Sequence, residues 1–314
     1  MSSFYSSLTW LFTLINVVSL TALALVLDGI ERKVRARVQR RIGPPILQTL
    51  YDVLKLYKRP VTHDELAGPF HAVAPALAFA ASLVGAAMLP SLLPVSNSFS
   101  GDLIVVIYLI SSVSAITSFG AASSGIPFSV VGGWREASLM MTSELVLGAT
   151  VAAIASSSGS LMLSSLMPLT KPASIKVSSV IALVSLALLA YVEGGRLPFE
   201  ITEAEPELTG GVLSGYGGPP LALLMHSILL KRVLLITLFL DLLLPWDAIS
   251  NALGAPLGLV VRALIFILAL LIASIICAAL EALFGRCRPG HAISVVKKAV
   301  IISGVALIAA CVGF

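Results

Sequence analysis

Charge is scarce in this chain: Lys, Arg, Asp and Glu make up 11% of 314 residues, apolar residues make up 58%, and mean hydropathy is +1.01. So little polar surface cannot cover a soluble globule of this size, which puts the chain in a lipid bilayer. Cysteine is scarcer still. Cys277, Cys287 and Cys311 include no pair at the close spacing of iron-sulfur or zinc ligands, so no metal is expected here. Two of them fall in apolar spans, which excludes a secreted disulfide framework. No basic residue precedes the first apolar run, about 8–27, and that run is longer than a signal-peptide core. It is expected to be retained as a span. There is no soluble domain, internal repeat or low-complexity tail, and residues 1–314 read as one integral membrane domain.

What the sequence does have is a series of apolar runs long enough to cross a membrane. They cover about 8–27, 69–94, 103–119, 137–157, 177–192, 219–245, 254–283 and 293–313. The expected fold is all-α, a polytopic membrane protein with about eight transmembrane helices. Pro69, Pro94, Pro219 and Pro245 punctuate span ends, and Pro75 and Pro90 are placed to kink the second span.

A pI near 9.1 could suggest nucleic acid, but the basic residues sit in loops between spans, where they orient the protein instead. The first loop holds Arg32, Lys33, Arg35, Arg37, Arg40, Arg41, Lys55, Lys58 and Arg59. Arg135, Arg196, Arg286, Arg288, Lys297 and Lys298 fall on the same side, against Lys171 and Lys176 opposite. The positive-inside rule then places both termini outside a multi-pass cell membrane protein, with the loops after spans 1, 3, 5 and 7 in the cytoplasm.

The first loop, 28–68, combines a basic segment, a rigid Gly43-Pro44-Pro45 turn and a stretch with Leu47, Leu50, Tyr51, Leu54 and Tyr57 at helical spacing. Its charge alone is equally a topological signal. The order of parts predicts an amphipathic helix lying on the membrane surface or against a partner. In the fourth span Arg135 and Glu136 stand near the cytoplasmic edge, with Glu144 two turns deeper. An ionisable group in a span costs roughly 2.5–3.5 kcal/mol at the centre, which makes Glu144 a functional candidate; a hydrogen bond to a neighbouring Ser or Thr is the plainer alternative. The sixth span sets His226, Lys231, Arg232 and Asp241 among leucines. Lys231 and Arg232 are sequential and point in different directions, so they require at least two partners, in buried ion pairs or along an ion path. Arg262 reads as structural, and Glu281 ends the seventh span.

The loop 193–218 carries Glu193, Glu200, Glu203, Glu205 and Glu207. Thr202 could cap a short helix through a capping box with Glu205, and Glu200, Glu203 and Glu207 would then share one face and raise one another's pKa. A solvated acidic loop is the alternative.

Taken together, "ERKVRARVQRRIGPP", "LQTLYDVLKL", "EGGRLPFEITEAEPEL" and "GRCRPGHA" resemble the membrane subunit shared by respiratory complex I, where it is the H subunit or subunit 1, and the group 4 membrane-bound nickel-iron hydrogenases. The resemblance covers nearly the whole chain. It implies a non-catalytic subunit that anchors a redox arm and couples it to proton or sodium translocation through carboxylates. By motif position the coupling residues would be Glu144, Glu193, Glu200, Glu203, Glu205, Glu207 and Glu281, with Lys231, Arg232 and Asp241 added as ionisable groups within span six. Arg32, Arg37, Arg41, Gly43, Arg135, Arg196, Arg286 and Arg288 would face the redox arm. The implied partners are iron-sulfur and hydrogenase-like soluble subunits, antiporter-like membrane subunits and the lipid bilayer. Iron-sulfur clusters, and nickel and iron where a hydrogenase centre is kept, would belong to those partners.

Complex I members usually have a longer first loop and a Lys-Glu pair where Lys58-Arg59 stands here, so the short loop resembles the hydrogenase branch. A quinone would be bound only in the other reading, that of the H subunit of an NADH, ferredoxin or F420H2 dehydrogenase. A stand-alone secondary transporter would show repeat symmetry that this chain lacks.

Overall fold

The structure, a computed structural model, describes residues 2–61, 67–94, 99–166, 176–203, 205–246 and 257–313. Its first helix, α1 (Ser2–Val38), runs eleven residues beyond the apolar run that predicts it. The extension is charged but contains good helix formers, and Asp28 and Arg32 form an i,i+4 ion pair at 2.8 Å. At 37 residues α1 is about 55 Å long. It stops in a Schellman turn: Arg40 takes φ 57°, its N–H reaches the Arg37 carbonyl at 3.0 Å, and the Arg41 N–H reaches Ala36 at 2.7 Å.

The chain then folds back so closely that a Cβ on Gly29 would lie 1.7 Å from the Ile46 carbonyl oxygen. That return places α2 (Gln48–Tyr57) beside α1, with Thr49 and Val53 buried and Thr49 donating to Asp28 at 2.7 Å. Tyr51, Leu54 and Tyr57 are exposed, so the apolar face of α2 points away from the chain, as its amphipathic spacing predicts.

The bundle is completed by α3 (Pro69–Met88), α4 (Asp102–Ala122), α5 (Pro127–Ser158), a short α6 (Leu163–Leu166), α7 (Val177–Glu193), a short α8 (Glu205–Leu208), α9 (Pro219–Leu243), α10 (Leu257–Leu283) and α11 (Pro289–Val312). With α1, seven helices among the described residues are long and apolar enough to cross a membrane; α7, the remaining expected span, has 17 residues. Pro75 stays inside α3, whereas Pro90 lies beyond its end and kinks nothing. Proline at the first turn starts α5 at Pro127, ten residues earlier than apolarity predicts.

Helix α9 is the hub, packing against α1, α2, α3, α4, α7 and α10. Its neighbours leave Leu230, Leu234, Leu238 and Lys231 buried together. Helices α4, α5, α7 and α11 form the adjoining layer, and α10 lies against α1.

Candidate functional site

The ends of α1, α5, α7 and α10 meet the 193–218 loop on one face of the bundle. Glu193, the last residue of α7, lies 3.0 Å from Lys231 of α9, so Lys231 sits level with the end of a span. Lys231 also lies 3.8 Å from Glu136 of α5 and donates to Ser114 of α4. Ser114 bonds Glu136 in turn, and Ser143 of α5 donates to Glu193. Four helices thus contribute to one cluster in which a single ammonium faces two carboxylates.

A second cluster adjoins it. The Arg196 guanidinium holds Glu31 of α1 through two bonds, 2.8 and 2.9 Å, and Glu281 of α10 at 3.0 Å. Arg35 reaches the other oxygen of Glu281 at 3.0 Å. Arg196 and Glu281 are 3% exposed and Glu31 4%, so these are buried, mutually satisfied charges. Burial alone would lower the Arg196 pKa, but Glu31 and Glu281 raise it overall.

Between the clusters Arg232 donates to the Gly194 carbonyl at 2.6 Å and lies 3.9 Å from Asp28. Lys231 and Arg232 therefore do serve two separate sets of partners. Glu203 faces this group, and its pKa is pushed up to about 7: burial raises it, Arg232 opposes, and Glu200, Glu136 and Asp28 add to the rise. A cavity of about 30 Å³ touches Glu203, Glu200, Lys231, Glu136 and Glu193, enough for one or two waters. Another, about 110 Å³, adjoins Glu203, Arg232, Asp28, Arg196 and Glu281.

Other expectations are corrected. Residues 200–203 are not helical, so Glu200, Glu203 and Glu207 share no helix face. Pro206, tolerated only in a first turn, fixes the start of α8 at Glu205 and leaves Thr202 too far upstream to cap it. The Thr202 carbonyl instead lies where a Cβ on Gly211 would be, 1.7 Å away, and Gly211 has φ +52°. Glu207 pairs with Arg135 at 2.8 Å and Glu200 with Arg286 at 3.3 Å. The Glu205 side chain and Lys171 lie outside the described residues.

Arg196, expected to face a redox arm, is buried, and Arg135 and Arg286 pair with Glu207 and Glu200 of the acidic loop. Arg32 pairs with Asp28, while Arg37, Arg41 and Arg288 are exposed. Gly43, at φ +71°, packs where a Cβ would lie 2.7 Å from that of Ala36.

Glu144 accepts a bond from Ser111, the plainer of its two readings. Asp241 is also set apart: ten residues along α9 from Lys231, about 15 Å, it faces Arg262, which donates to the Pro90 carbonyl at 2.7 Å. His226 meets the Thr21 carbonyl at 3.2 Å.

A family profile described as NADH dehydrogenase matches residues 11–312. The chain belongs to that family. Formate hydrogenlyase subunit 4 of Escherichia coli (strain K12) is 31% identical over 88% of this chain and 91% of its own length. Hydrogenase-4 component C of the same organism is 34% identical over 84% and 85%. NADH-quinone oxidoreductase subunit 8 of Rhodothermus marinus is 29% identical over 66% and 64%. The hydrogenase relatives align over more of the chain, which fits the hydrogenase-like branch of the family. The fold is that of a chain in the membrane-bound sulfane sulfur reductase, an archaeal respiratory membrane complex, with a TM-score of 0.84, 23% identity, and coverage of 96% and 99%.

Asp28, Glu31 and Arg35 are not among the site residues expected from sequence, although with Arg32 they fall at i, i+3, i+4 and i+7 and so continue one helical face beyond the apolar run. Glu136, expected only near the edge of the fourth span, also belongs to the site. Ser114 and Ser143 gave no signal, being two serines among many.

Proposed function

We propose that this chain is the membrane anchor and ion-coupling subunit of a multisubunit, hydrogenase-like respiratory complex. The carrying observation is the unbroken run of ionisable groups from the surface loop to the bundle: Glu200 and Glu203, then Glu136, Lys231 and Glu193, around a water-sized cavity. One ammonium between two carboxylates leaves a negative charge that a proton can balance, so a proton entering at Glu203 has a place to go. A partner docked on the exposed α2 face and on Arg37 and Arg41 would act on this run through α1, which carries Asp28 and Glu31. Iron-sulfur and metal centres would belong to such partners, and antiporter-like subunits would extend the path.

The test is ion uptake by inverted vesicles holding the assembled complex. Glu193→Gln is expected to abolish uptake while electron transfer to an artificial acceptor persists. Undiminished uptake in that variant overturns the reading.

A further inference from the structure

A cavity of about 750 Å³ opens on the lipid-facing side of the bundle, with Tyr191 and Cys277 of its wall backing onto the Arg196–Glu281 cluster. Ile236 and Phe239 of α9 lie behind it, with Ile276 and Leu280 of α10 on one side and Leu188 and Tyr191 of α7 on the other. The gap exists because α10 packs on α1 and α9 and leaves α7 and α11 across the opening. At the acidic-loop end it is covered by Pro198–Phe199 and the 284–287 segment, tied together by the Cys287 N–H on the Pro198 carbonyl at 3.0 Å.

Its depth and charge identify the occupant. The lining runs from Ala273 of α10 to Phe284, the residue just past its end, about 16 Å, roughly half of a 30 Å hydrocarbon core. A partner helix crossing the membrane would need the full thickness, whereas an acyl chain of one leaflet needs half. No Asp or Glu lines the cavity, and His291 lines it at the acidic-loop end. Arg288 beside it is exposed and forms no ion pair among the described residues. Lys298, also exposed, lies seven residues beyond His291 on the same face of α11, and its stem can lift the ammonium toward the headgroup level.

We infer that this cavity binds an acyl chain of an anionic phospholipid from the leaflet on the acidic-loop side, with the phosphate held by Arg288, His291 and Lys298. This site is independent of the ion-coupling reading.

The test uses native membranes containing the chain and whatever assembles with it. Phosphatidylglycerol and phosphatidylcholine carrying the same photoactivatable acyl chain are added separately, and labelled peptides are mapped. The phosphatidylglycerol probe is expected to label 273–284 and 184–191 about fivefold more than the phosphatidylcholine probe. The double variant Arg288→Gln, Lys298→Gln is expected to remove that preference. Equal labelling of the unaltered chain by both probes would reduce the site to bulk lipid, and labelling by neither would mean that another protein covers it. Either result overturns the inference.

Discussion

Arg196 grips Glu31 through both terminal nitrogens and Glu281 through one of them, joining positions 165 and 85 residues away in sequence. The acidic loop is thereby fastened to α1 and α10 at one guanidinium. Arg196→Gln leaves Glu281 with Arg35 alone and Glu31 without its guanidinium, and loss of one partner of a buried pair costs about 3–5 kcal/mol. Thermal unfolding in detergent is expected to show a clearly lowered midpoint, with Arg196→Lys intermediate because an ammonium lacks the planar fork. A midpoint unchanged by Arg196→Gln would refute the clamp.

Glu203 gives a pH signature. With its pKa near 7, it keeps a proton between about pH 4.5 and 7 that the unfolded chain releases, so its contribution to stability falls as pH rises through that window. An infrared carboxyl band that is lost as pH rises past 7, and is absent in Glu203→Gln, is the expected observation. Arg232→Gln should move the transition to higher pH, since the guanidinium opposes the rise. A transition near pH 4.5 would contradict the burial of this group.

Lys231 is the single ammonium of the cluster with Glu193 and Glu136. Lys231→Met is expected to impair assembly by leaving buried carboxylates without a cation, and adding Glu193→Gln should recover part of the yield. The quantity to measure is the amount of intact complex on native gels. Equal loss in the single and double variants would show that the two residues do not interact.

Asp241 and Glu193 should separate in function. Asp241 faces Arg262 and Trp246 far along α9, so Asp241→Asn is expected to lower thermal stability and leave ion uptake near the unaltered level. Loss of uptake on a par with Glu193→Gln would join Asp241 to the path.

Much of this arrangement was legible in the sequence, for reasons that differ by element. The spans were readable because apolar runs of about 20 residues have few other uses, and α2 because its spacing exposes one apolar stripe. The far end of α1 was not. Apolarity reports lipid contact, and the charged residues 28–38 leave the lipid without leaving the helix. Pairing was hidden for a related reason. Glu193 and Lys231 stood out as charges beside apolar runs, but which acid meets which base depends on how far each helix projects, and the start of α5 at Pro127 is what carries Glu136 down to Lys231. The acidic loop defeated a helical reading because Pro206 can begin a helix but not continue one.

Helix α7 rises only about 25 Å over its 17 residues, short of a typical 30 Å hydrocarbon core. Lipid beside it must thin, or polar headgroups and water must descend toward Glu193. Membrane thickness then becomes a control on how wet the Glu193–Lys231 pair is: a thicker bilayer strains the fit at this helix, and a thinner one matches it. The same chain would work differently in membranes of different acyl length, with no change in any residue.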